Sequence, residues 1–133
     1  MQTLPLRRSR YCPPLANKAA FILELCRQGL IQGFVTPEIL SEYQRVLSDT
    51  PTLLAEIQEH FAICYPLFTA IAIRHEPDNR FLECALACQA DYLITVNTAR
   101  GHFDRKSFGG TLVLTPEAFL NHAPVRSLLL NLP

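Results

Sequence analysis

The stretch Glu76-Pro77-Asp78-Asn79-Arg80-Phe81-Leu82-Glu83-Cys84-Ala85-Leu86-Ala87-Cys88-Gln89-Ala90-Asp91-Tyr92-Leu93-Ile94-Thr95-Val96-Asn97 constrains this chain more than any other. An acid-rich turn leads into an apolar helix predicted over Asn79–Cys88. A short polar break follows, then an apolar strand, Tyr92–Thr95, with Asn97 just beyond it. An acid at a helix start, followed by a strand whose end returns beside it, is how an α/β sheet builds a site at its carboxyl edge. Carboxylates gathered there repel one another unless a cation neutralises them, so the pattern points to a divalent cation.

The flanking sequence supplies further helices and strands. Ala16, Ala19, Ala20, Leu23 and Cys26 recur at helical steps, and Gly29 is a natural stop, which predicts a helix from Leu15 to Gln28. Phe34-Val35-Thr36 reads as a short strand. Thr36-Pro37-Glu38 then opens a helix: threonine caps, proline suits the first turn, and the acid faces the positive end of the dipole. Thr50-Pro51 repeats the device and predicts a helix through about Cys64, with Leu53, Leu54, Ile57, Phe61 and Cys64 as its apolar stripe. Thr115-Pro116 predicts a short helix carrying Phe119 and Leu120. Phe68–Ile73 reads as a strand or an extended linker, Gly109-Gly110 as a turn, and Thr111–Leu114 as a strand.

Strands separated by helices imply an α/β fold in three layers, a short parallel sheet covered by helices on both faces. The expected organisation is an irregular segment over residues 1–14, a domain over 15–122 and a tail over 123–133. Pro5, Pro13 and Pro14 punctuate the first segment, which carries Arg7, Arg8 and Arg10 and no acid. Proline lacks a ladder donor, so this segment is expected to pair weakly or not at all and to leave the sheet with a gap or an exposed edge.

At 133 residues the chain has the length of one domain. Its 12 basic and 12 acidic residues cancel, so a nucleic-acid surface would have to be a local basic patch. The cysteines are Cys12, Cys26, Cys64, Cys84 and Cys88, an odd set without a CxxC, which suits reduced thiols and a cytoplasmic location. Cys84 and Cys88 share a helix face but lack a second close pair, so core packing is the expected role. No apolar run reaches the ~20 residues of a membrane span, and no apolar stretch follows the N-terminal arginines as a secretory signal requires.

Four landmarks, in order, resemble the PIN-domain family of small metal-dependent ribonucleases, which includes many toxins of toxin–antitoxin pairs. They are Val35-Thr36-Pro37-Glu38-Ile39-Leu40-Ser41-Glu42, Pro77-Asp78-Asn79-Arg80-Phe81-Leu82-Glu83-Cys84-Ala85, Ala90-Asp91-Tyr92-Leu93-Ile94-Thr95 and Leu114-Thr115-Pro116-Glu117-Ala118-Phe119-Leu120. The likeness runs from about Leu15 to Leu120. It implies a magnesium or manganese site built from three or four acids, and an RNA substrate. It also implies an antitoxin protein or a second copy of the chain as partner.

By that resemblance Glu42 and Asp78 are the metal ligands, and Asn97 stands where the family has its last acid. Arg100-Gly101-His102-Phe103-Asp104 is similar to a variant of the segment that follows it. Arg100, His102, Arg105 and Lys106 are the candidate RNA contacts. Each residue also has a plainer reading. Glu42 suits a solvated helix face, Asp78 a helix cap, Asn97 a turn, and residues 100–106 a solvated loop. His60, His75 and His122 form no recognisable arrangement. The family's first acid has no counterpart in residues 1–14, so an N-terminally truncated or altered product with little nuclease activity is expected. The alternative function is a catalytically inactive PIN-like module that binds RNA or protein.

Overall fold

The structure, a computed structural model, describes residues 15–130. Helix α1 spans Leu15–Arg27 and ends as expected, with Gly29 in the left-handed region at φ 75°. Strand β1 is Phe34–Val35, and helix α2 is Pro37–Val46. The Thr36 hydroxyl oxygen accepts from Ile39 N at 3.0 Å, the cap the sequence predicts. Helix α3 is Pro51–His60. Here the Thr-Pro device works differently: Thr50 makes no side-chain cap, and its hydroxyl donates back to the Leu47 carbonyl at 3.3 Å.

The expectation that α3 runs to Cys64 is corrected. Phe61 is extended, and Ala62–Ile63 form strand β2, parallel to β1 in the register Phe34↔Ala62 and Val35↔Ile63. The ladder hydrogen bonds from Ala62 N to Gly33 O and from Cys64 N to Val35 O win over continued helix. Residues 64–75 carry no regular element, so the Phe68–Ile73 strand alternative is excluded.

A 3-10 turn at Glu76–Asp78 leads into helix α4, Asn79–Ala87. Gln89, at φ 53°, closes α4 in the left-handed region, and Ala90 N donates to Ala85 O at 2.8 Å. Strand β3 is Tyr92–Ile94, β4 Ser107–Phe108 and β5 Thr111–Leu114. The β4–β5 hairpin turns through Gly109-Gly110, with Gly109 at φ 57°. Helix α5 is Pro116–Asn121, capped by Thr115, and helix α6 is Ala123–Leu130, where the sequence was read as a tail.

The order β3-β5-β4 makes one sheet, with β3 and β5 parallel and β4 antiparallel. Alternation along β3 and β5 assigns the two faces. Leu93 and Val113 pack with Ala70, Ile73, Leu82, Ala85, Phe103 and Phe108, on the α4 side. Tyr92, Ile94 and Leu114 pack with Leu25, Phe119 and Val125, from α1, α5 and α6. Helices therefore cover both faces, and the three-layer α/β expectation holds. A third cluster, centred on Val35, Ile39, Ile57 and Cys84, ties β1 and α2–α4 together.

Among the described residues no ladder joins β1-β2 to β3-β5-β4, and Phe34 and Ile63 are exposed. The expected weak pairing of residues 1–14 lies outside the described residues.

Candidate metal centre

Asp78 immediately precedes helix α4. It stands where a helix cap would stand, yet it makes no capping hydrogen bond. Its carboxylate is buried, at 7% exposure, and faces two imidazoles instead. His102 Nδ1 lies 2.8 Å from Oδ2, and His75 Nδ1 lies 3.5 Å from Oδ1. The two rings stack at 4.5 Å between centroids, tilted by 37°. One ligand atom from each residue falls within 4.8 Å of the other two.

Four backbone hydrogen bonds bring these residues together. His75 N donates to Gly101 O at 2.8 Å, and Asp78 N donates to His75 O at 3.0 Å. His102 N donates to Ala99 O, and Phe103 N donates to Asn97 O at 2.9 Å, closing the loop after β3. Phe103 is buried in the core, so the loop is pinned from below. The Asp104 carboxylate accepts from Gly101 N at 3.1 Å.

Asn79 fixes the other side. Fully buried, its Oδ1 accepts from Ile73 N at 2.9 Å, and its Nδ2 donates to Ile73 O at 2.9 Å and Glu76 Oε2 at 2.8 Å. Arg80 reaches Glu76 and Glu83, each at 2.9 Å. The buried Glu83 carboxylate also accepts from Ala70 N at 2.8 Å, so it is committed to structure.

A cavity of about 250 Å³ adjoins the cluster, lined by Ala72, Ile73, Arg74, Arg100, Gly101, His102 and Asp104. His102 thus borders both the cavity and Asp78. Arg74 and Arg100 make the same wall cationic.

The remaining sequence candidates fall elsewhere. Glu42 sits on the exposed face of α2, where both its oxygens meet the Arg45 guanidinium in a two-pronged pair. It joins no group of three metal-ligating side chains within 4.8 Å among the described residues. Asn97 is exposed; its N donates to Thr95 Oγ1 at 3.0 Å, a turn after β3. Arg105 stacks on the Phe108 ring at 4.5 Å, and Lys106 contributes its carbonyl to Val113 N in the hairpin. His75 was passed over in the sequence. Its signal was its spacing, three residues ahead of Asp78 across a turn, which only the loop of Gly101–His102 completes.

A second group of possible ligands adds a member that the sequence spacing did not show. Cys64, from just after β2, comes to Cys84 and Cys88 on α4, with Sγ–Sγ 3.5 Å between Cys64 and Cys84. Burial, reinforced by the neighbouring Cys64 thiol, raises the Cys84 pKa strongly, and burial raises Cys88 as well. Tyr43 is raised by burial and by the nearby Cys84. These groups are held neutral, which suits a packed core.

No curated protein and no solved structure matches the chain. A family model described as PIN domain matches residues 6–99, beginning ahead of the expected Leu15 and stopping short of Leu120. That match spans well over half of the sequence and includes β1, Glu42, Asp78 and β3, so the chain belongs to the PIN-domain family.

Proposed function

We propose that the chain is a PIN-type endoribonuclease domain of the toxin–antitoxin kind, acting on RNA in the cytoplasm with low catalytic power. One observation carries this reading: the buried Asp78 carboxylate is not spent on capping and lies beside a cavity walled by Arg74 and Arg100. His102 separates Asp78 from that cavity, and Arg74 and Arg100 on its wall could pair phosphate oxygens through their planar forks. PIN domains bind divalent metals. Magnesium wants an all-oxygen shell, and Asp78 is the one carboxylate in the cluster, so the gathered side chains do not fit magnesium well. Glu42, held by Arg45, and the acid-free residues 1–14 add to that mismatch.

The test is cleavage of a fluorescent single-stranded RNA by the purified chain, with magnesium or manganese and with chelator. Slow, metal-dependent cleavage that Asp78→Asn abolishes supports the reading. Cleavage unchanged by Asp78→Asn would sink it. A second reading, an inactive module that binds RNA or protein, is favoured by the Glu42–Arg45 pair. It predicts RNA retention without cleavage at any metal concentration.

The antitoxin or second copy that the reading calls for has apolar surface to cover. Leu67 is 97% and Ile71 86% exposed, in the irregular segment after β2. Size-exclusion elution of the same preparation reads self-association. No helix among the described residues is long and apolar enough to cross a membrane.

A further inference from the structure

We infer that His75, Asp78 and His102 form a binding site for a borderline first-row transition-metal ion, of which zinc is the type, and not for magnesium. The site shares Asp78 with the ribonuclease reading, but the inference concerns which ion is bound and is tested by binding, not cleavage.

The donor set argues the ion class. Two imidazoles and one carboxylate are a mixed nitrogen–oxygen set. Imidazole suits zinc, iron, cobalt and nickel, whereas magnesium demands oxygen and gives up water reluctantly. The spacing argues the fit. Ligand atoms on a tetrahedral ion with bonds of about 2.0–2.2 Å lie roughly 3.3–3.5 Å apart. The His75 Nδ1 to Asp78 Oδ1 separation is 3.5 Å, already that of a ligand edge. His102 Nδ1 meets the other carboxylate oxygen, Oδ2, at 2.8 Å, so an ion between the rings takes Asp78 through both oxygens or draws His102 across to Oδ1.

The fold gathers the three side chains before any ion binds, which lowers the cost of assembling the site. The His75–Gly101 backbone bond joins the two histidine-bearing segments directly. Asn79 and the buried Phe103 anchor each segment to the core. Water from the cavity at His102 can complete the shell, as in a three-ligand open zinc site. Arg74 and Arg100 repel the cation and Asp104 attracts it, so the affinity is moderate rather than that of a closed structural site.

The experiment titrates metal-free full chain with cobalt, followed by visible d–d absorption, and with zinc by calorimetry, magnesium serving as competitor. The Cys64–Cys84–Cys88 group is the competing zinc site, so every titration is repeated in Cys64→Ser. The expected result is one ion per chain, retained in Cys64→Ser and undisturbed by excess magnesium. Because His75 is exposed, His75→Ala should fold, as circular dichroism checks, and should weaken binding about tenfold or more. His102→Gln should do the same. Binding that survives both histidine variants, or vanishes in Cys64→Ser with a thiolate charge-transfer band, overturns the inference. So does magnesium displacing cobalt at equal concentration.

Discussion

Asn79→Ala tests how the site is held. The wild-type amide is fully buried and makes three hydrogen bonds, two to Ile73 and one to Glu76. Each neutral bond contributes about 1 kcal/mol net, and the bond to the carboxylate somewhat more. Truncation also strands the Ile73 N–H and carbonyl, in a residue only 4% exposed, at about 1–3 kcal/mol for each group. These figures overlap, so the expected loss is about 3–5 kcal/mol. That is a large part of the roughly 5–15 kcal/mol that holds a domain together. The assay is urea unfolding followed by far-ultraviolet circular dichroism. Amide hydrogen exchange at Ile73 serves as the local probe.

Asn79→Asp sharpens the test. It keeps an oxygen for Ile73 N, loses the Nδ2 donor, and sets a carboxylate against Ile73 O and Glu76. It should destabilise at least as much as alanine. A loss below about 1 kcal/mol for alanine, or wild-type stability for aspartate, would refute the idea that Asn79 ties residues 70–75 to α4. Because that segment carries His75, either variant should also blunt metal binding.

Gly33→Ala should cost about 1–3 kcal/mol, because an added Cβ would meet the Phe61 ring at 2.6 Å. In a Phe61→Ala background the same change should cost little, and strict additivity in the double-mutant cycle would contradict the clash. Burial pushes the Cys26 thiol up from 9.0 to about 11, partly offset by a backbone hydrogen bond from Gly33. The folded state therefore holds the proton more tightly, so this contribution to stability is intact below pH 9 and fades as pH rises towards about 11. Urea midpoints should fall over that window in wild type and fall less in Cys26→Ala. Parallel slopes in the two proteins would argue against it.

What was legible in the sequence was whatever neighbours in the chain decide. Thr36 and Thr115 cap the helices they precede, Gly29 and Gly109 adopt the left-handed conformations their positions call for, and β3 and β5 fall where apolar runs predict them. Capping and turn chemistry involve groups three or four residues apart, so the information is local. Asp78 was visible for the same reason, as an acid at a helix start.

Only tertiary structure decided the rest. Two-residue strands such as β2 and β4 carry too little pattern to announce themselves and exist through their partners' ladders. Among the described residues Glu42 joins no ligand group because packing brings no second donor to it, although its pairing with Arg45 three residues on is local. Whether Asp78 capped or received the histidines depended on residues 24 positions later, which a loop between β3 and β4 carries back. Cys64 likewise meets Cys84 across 20 residues. Local hydrogen bonding wrote the elements into the sequence, whereas the donor set of the site comes from chain segments that only packing brings together.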